Sequence, residues 1–258
     1  MVARGLTPVL LLIAVCALLL GAQVSRGAVS LFSDSDPVTG NSFATCSQFP
    51  PDTAVASVGS WTTGLSHTAG AGTDRLLLFA VGYENGADPG VSSVSYGGQS
   101  LTRVTGAVAG TSTFGRVELW YLAEAGIRAA TGTTFSVTWG GTAPSQPMYA
   151  AATFANVNQG NPIADSSSAF TDSSTPNPIT TSVSVTDGAM AVAAAISGNN
   201  GSYSWNNGWT EGTDQTSGST TTMSSAEHAA TATGTDTASA THSGPNRQAI
   251  VAAALSPR

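Results

Sequence analysis

The chain has 258 residues and a formal net charge of −7, with only 9% of its residues charged, against about 25% in an ordinary soluble domain. Lysine is absent and all eight basic residues are arginines. So acidic and sparsely charged a surface excludes phosphate-rich partners, and neither nucleic acid nor an anionic membrane is expected to bind.

Val9 to Leu20 reads VLLLIAVCALLL, an unbroken apolar run behind Arg4. It falls short of the roughly 20 residues that span a bilayer and predicts the core of a signal-peptide helix. Small residues suited to cleavage stand at Ala28 and Ser30, just before Leu31, with Ser25 and Gly27 as a second option. Residues 1–30 are therefore read as a signal peptide, the mature chain as secreted from Leu31, and no stable membrane span is expected after cleavage. Losing Arg4 and Arg26 leaves six arginines against fifteen acidic residues, a charge of −9. Cys16 lies inside the apolar core, whereas a lipid-attachment cysteine would sit at its end. Cys46 is then the one remaining thiol, so the fold has no internal disulfide. Cys46 is read as a packed or free thiol, with a disulfide between subunits as the alternative.

The next stretch, LFSDSDPVTGNSF, combines an aromatic-Ser-Asp with a following N-x-F. Together with the leader it resembles the start of TasA/CalY-type biofilm matrix proteins, which are processed by the SipW-type signal peptidase. The matching residues are Ala28, Ser30, Phe32, Ser33, Asp34, Gly40, Asn41 and Phe43. The resemblance implies export and a role in extracellular fibres, with Phe32, Asp34, Asn41 and Phe43 in an assembly segment that adds a strand to the next subunit. The chain then departs from that pattern with ATCSQFPPD, where Pro50-Pro51 blocks strand pairing. Residues 31–52 are accordingly an extended N-terminal segment, either a donor strand or a tether.

From Thr53 onward no helical periodicity is found, and strand-like runs recur between Gly, Pro, Asn, Asp and Ser. RLLLFAVGY (Arg75–Tyr83) is apolar on both parities and predicts a central strand buried on both faces. RVELWYLAE (Arg116–Glu124) is similar, with Glu118 inserted. TTFSVTW places Phe135, Val137 and Trp139 inward, and PITTSVSVT places Ile179, Thr181, Val183 and Val185 on one side. AMAVAAAIS (Ala189–Ser197) and QAIVAAALS (Gln248–Ser256) are alanine-rich, which fits strands where two layers approach closely. Weaker runs at 91–96, 100–104, 148–154, 202–209, 223–230 and 236–242 bring the count to about a dozen strands. Short strands with frequent turn signals predict an all-β, two-sheet, jelly-roll-like β-sandwich, one domain over residues 53–258. No internal repeat of fixed period is evident. VSSVSYGGQSLTRV (Val91–Val104), VELWYL (Val117–Leu122), FANVNQGNPIAD (Phe154–Asp165) and NNGWTEG (Asn206–Gly212) also resemble a β-sandwich domain of bacterial secreted and surface proteins. That group carries no agreed activity, so the likeness implies a fold and an extracellular setting and assigns no catalytic residue.

Chemistry is sparse. There is no G-x-S-x-G elbow, no H-E-x-x-H and no clustered His/Cys spacing; His67, His228 and His242 have no recognisable partner motif, and His228 and His242 read as solvent-facing. Sandwich folds host glycosidases by analogy, but Glu118 and Glu124 lie six residues apart, roughly 20 Å along a strand, where a carboxyl pair must sit about 5–9.5 Å apart. Glu118 reads instead as a salt-bridge or rim residue. SYSWNNGWTEG offers Tyr203, Trp205 and Trp209 beside Asn206, Asn207 and Glu211, which would make a carbohydrate-binding face if exposed and a core strand if buried. Calcium is the one ion with candidates, Asp34-Ser-Asp36 and the Glu84–Asp88 loop, although neither has the spacing of a calcium loop. The sequence thus predicts a secreted, non-enzymatic structural or adhesive sandwich of the bacterial extracellular matrix or cell surface, without cofactor or metal. Its partners would be its own copies or extracellular glycans. A lectin-like module is the alternative, and a sandwich-fold glycosidase or polysaccharide lyase comes last.

Overall fold

A computed structural model describes residues 54–258 except 219. The signal and assembly readings at Ala28, Ser30, Leu31, Phe32, Asp34, Asn41 and Phe43, together with Asp36 and Cys46, lie outside the described residues. The chain runs β1 (Ala56–Ser57), β2 (Thr62–Thr63), β3 (Leu76–Asn85), β4 (Val91–Tyr96), β5 (Gln99–Ser100), β6 (Thr102–Ala109) and β7 (Phe114–Ala123). A single helical turn and a half, α1 (Glu124–Ala129), precedes β8 (Phe135–Trp139) and β9 (Met148–Ala155). Then follow β10 (Ile163–Thr171), β11 (Ile179–Val185), β12 (Met190–Ser197), β13 (Tyr203–Trp205), β14 (Thr210–Ser217), β15 (Thr221–Ala229), β16 (Gly234–His242) and β17 (Gln248–Leu255).

The all-β sandwich read from the sequence is present, but among the described residues it has four antiparallel sheets in place of two and 17 strands in place of a dozen. Two large sheets lie at the centre, one ordered β1-β9-β3-β7-β6 with β2 also on β9, the other β10-β17-β12-β15-β14. Leu76, Leu78 and Leu119 of the first pack against Val192, Ile196, Val251 and Leu255 of the second. A small sheet, β5-β4-β8, covers the outer face of the first around Phe79, Trp120 and Phe135. Another, β11-β16-β13, covers the second around Ile179, Tyr203 and Trp209. The four-layer stack explains the sequence pattern: β3, β12 and β17 need apolar residues on both parities because both of their faces are covered. Alanine dominates β12 and β17, every residue of which is buried, because small side chains let three layers approach one another.

The layers conceal a duplication. β3, β4, β6, β7, β8 and β9 are wired as β12, β13, β14, β15, β16 and β17. In each set the first strand pairs with the fourth and sixth, the third with the fourth, and the second with the fifth. The third–fourth ladder carries a register shift at the same place in both, between Arg103 and Thr105 and between Glu211 and Thr213. The second strand of each is followed by two consecutive left-handed residues, Gly97-Gly98 directly after β4 and Asn207-Gly208 one residue beyond β13, the signature of a tight primed turn. The repeat was not evident in the sequence because it lies in hydrogen-bond wiring, while side chains at equivalent positions differ.

Gly82 of β3 sits where the central sheets touch, and a Cβ there would lie 2.5 Å from Met223 Sδ and 3.3 Å from Ile196 Cδ1. Gly82→Val is expected to cost about 1–3 kcal/mol through overpacking. Met223→Ala in the same chain should return part of it. Urea denaturation of the two single variants and the double variant measures this, and strict additivity would show that the two sites do not meet.

Candidate functional site

The aromatic stretch forms β13, a turn and the start of β14. Backbone alternation in β13 turns Tyr203 and Trp205 toward the second central sheet, and the left-handed pair Asn207-Gly208 (φ 58° and 81°) brings Trp209 back over the same interlayer. Tyr203 and Trp209 are 4% and 6% exposed, and Trp205 is half-buried. The row expected as a candidate sugar platform is thus core for two of its three rings. The physical reason is that sheet β11-β16-β13 is a cover whose inward parity must be apolar.

The rings nevertheless form a stack whose two outer members, Trp205 and His228, are half-buried. Trp205 lies on Trp209 with centroids 5.9 Å apart, and Trp209 lies on His228 at 5.8 Å, each pair 24° from parallel. The Trp209 indole N–H donates to Asp236 Oδ1 at 3.2 Å, and His228 Nδ1 meets Asp236 Oδ2 at 2.6 Å. Trp205 Nε1 donates to Ser224 Oγ at 2.8 Å. Asn206 is committed inward, its amide donating to Ser239 and Thr241, and Asn207 donates to the Thr237 carbonyl. Glu211 is exposed, with its carboxyl raised above the ordinary range first by desolvation and then by Asp214. Of the six residues read as a sugar site, Asn207, Glu211 and an edge of Trp205 therefore reach the surface.

The same interlayer slot of the other half holds charge. Glu118, 1% exposed, accepts from Arg116 Nη1 and Arg103 Nε, both at 2.9 Å, and from Trp120 Nε1 at 3.2 Å. Arg116 also clamps Asp88, through Nε at 2.7 Å to Oδ1 and through Nη2 to Oδ2, and Tyr83 donates to Asp88 at 2.6 Å. Ladder registers make Glu118 the counterpart of Ser224, and each accepts an indole N–H. Glu118 is a salt-bridge residue as read, and Glu124 opens α1 and pairs with Arg75. The Glu84–Asp88 calcium reading finds no converging ligands: Asp88 faces Arg116, while Glu84 faces Arg247 and Thr221. Among the described residues no group of three or more His, Cys, Asp or Glu is placed to hold a metal ion. A shallow basin of about 510 Å³ lined by Asp74, Arg75, Glu124, Arg128 and Arg258 has its charges mostly paired, Arg75 with Glu124 and Arg258 with Asp74.

One histidine corrects the sequence reading: His242 is 1% exposed, drawn in because β16 places it on a covered face. His67, in the segment after β2, is 4% exposed, and His228 alone is partly exposed. His67 bridges Thr62 and Thr153, and His242 packs edge-on against Tyr203. Burial holds both imidazoles below their ordinary value of 6.5. The unfolded chain therefore binds their protons more readily, and the stability they contribute is complete above about pH 6.5 and is lost as pH falls toward their folded values. Arg116 beside Asp88 and Arg75 beside Glu124 hold those carboxyls low. Their contribution is complete above about pH 4.5 and is lost below it. Glu211 and Asp214, raised by desolvation, act in the opposite sense. The thermal midpoint is expected to fall between pH 7 and pH 5, and to fall less in His242→Gln. Calorimetry at the two pH values measures both, and an equal fall in the variant would remove His242 from the account.

Compared with family models, with curated proteins and with solved structures, the chain matches none.

Proposed function

We propose that the exported chain is a non-enzymatic β-sandwich of the bacterial extracellular matrix or cell surface and that it works by association. The observation that carries this reading is the way the polar chemistry is spent. The buried carboxylates Glu118 and Glu84 are held by arginines, and the aromatic row serves as packing. The outward faces of β10 and β11 are mostly uncharged, with Ser166, Ser168, Thr180, Ser182 and Ser184 exposed. Such a surface suits contact with another weakly charged surface better than capture of an ionic substrate. Light scattering and negative-stain microscopy on the purified exported chain should detect assemblies, and inert monomers at every concentration would overturn the reading.

A lectin-like module is the second reading, favoured by half-buried Trp205 lying next to exposed Asn207 and Glu211. It predicts glycan-array signals that Trp205→Ala abolishes while the thermal midpoint stays within a few degrees. An array without hits removes it. The glycosidase reading draws no support from Glu118, which is enclosed between two guanidinium groups.

A further inference from the structure

An open sheet edge is a row of unpaired N–H and C=O groups, and folded proteins blunt such edges with short strands, bulges, charge or cover. The edges here can be taken in turn. In the first central sheet β1 and β2 are two residues each, and β6 carries a register shift. In the second, β14 has a register shift and two acids, Glu211 and Asp214. Among the covers, β5 and β13 are two and three residues long. β8 is capped by the 65–67 segment, where the Phe135 N–H donates to the Leu65 carbonyl and the His67 N–H to that of Thr133. β11 is shorter, seven residues, and Asp165 Oδ2 of β10 takes the Ser184 N–H near its end.

β10 is different. It is nine residues long, pairs with β17 on one side, and has no strand on the other among the described residues. It too carries a register shift, between Ile163 and Asp165, but the regular run beyond it, Asp165 to Thr171, is seven residues, against five beyond the shift in β6 and in β14. It contains no lysine, arginine or proline, and its only charge, Asp165, is taken up by the Ser166 and Ser184 N–H groups. Phe170, 61% exposed, is the most exposed large apolar side chain described.

We propose that β10 is an interface and that its occupant is β10 of a second copy, antiparallel about a twofold axis through Ser168; this rests on the association reading above and names its partner strand. The regular run 165–171 has Ser168 at its midpoint, so the pairing sets Ser168 against Ser168, Ser167 against Ala169, Ser166 against Phe170 and Asp165 against Thr171. No charge meets a like charge, although the chain as a whole carries −7. Each copy supplies what the edge requires, a neutral extended segment of matching length. Phe170 is covered by the neighbouring strand, and the two five-stranded central sheets become one ten-stranded sheet, closed and isologous.

The test uses charge at the axis. Ser168 is exposed, so Ser168→Lys and Ser168→Glu fold as the parent does. Each should weaken self-association at least about tenfold, because like charges directly opposite destabilise a strand pair. An equimolar mixture of the two variants should re-form a heterodimer of near-parental affinity. Sedimentation velocity on the exported chain measures all four samples. If the parent associates and the single variants associate as strongly, the β10 interface is wrong and association uses another surface. If the variants separate but their mixture does not recombine, β10 binds a different strand, such as 31–52, and self-pairing is overturned. A parent that never associates overturns this inference together with the reading beneath it.

Discussion

Trp209→Ala is expected to destabilise the protein by about 3–5 kcal/mol, the cost of a large buried aromatic. The indole is 6% exposed, lies between Trp205 and His228, and satisfies Asp236 through its N–H. Removing it opens a cavity between the second central sheet and its cover, and leaves a buried carboxylate with one partner fewer. Half-buried Trp205 should cost less when truncated. Guanidinium denaturation of the two variants gives the comparison. A loss below about 1 kcal/mol for Trp209→Ala would mean that the ring is a surface feature, and would favour the sugar-platform reading over the packing one.

Glu118→Ala should be comparably severe, again about 3–5 kcal/mol, because it strips a buried ion pair of its acceptor. Arg116 keeps Asp88, but its Nη1 and the Trp120 indole N–H lose their partner in a covered slot. Arg103, whose side chain is 46% exposed, can turn to water and contributes little to the loss. Glu118→Gln retains an acceptor and the shape, so a smaller loss is expected. Urea denaturation ranks the two, and a nearly silent Glu118→Ala would show that water reaches the site.

The sequence made the buried strands legible. β3, β7, β9, β12 and β17 carry continuous apolar runs, and β8 and β11 alternate, so packing wrote their positions directly. β10 and β14 escaped because neither face of an edge strand is fully core: IADSSSAFT and TEGTDQTS show hydroxyl residues and no apolar period. The six-residue α1 was missed for a related reason, since only Ile127 of its residues is buried. The number of layers was also out of reach. A strand apolar on both parities announces that both faces are covered, without saying by what. At the candidate site the aromatic row on one strand face was visible, but exposure and burial give the same spacing. His228 and Asp236, which complete the stack, come from β15 and β16, and no local signal joins them to Trp209.

The doubled wiring has a consequence for how such a molecule can change. Each half hangs one interlayer slot on a shared middle, and the two slots are furnished differently: both hold stacked rings, and one adds a buried cluster of guanidinium and carboxylate groups. Because the middle is held by both halves at once, either slot can be refurnished while its twin keeps the scaffold standing. A newly acquired property would therefore be written into one half alone, and the sister strand at the same rank would preserve the older arrangement for comparison.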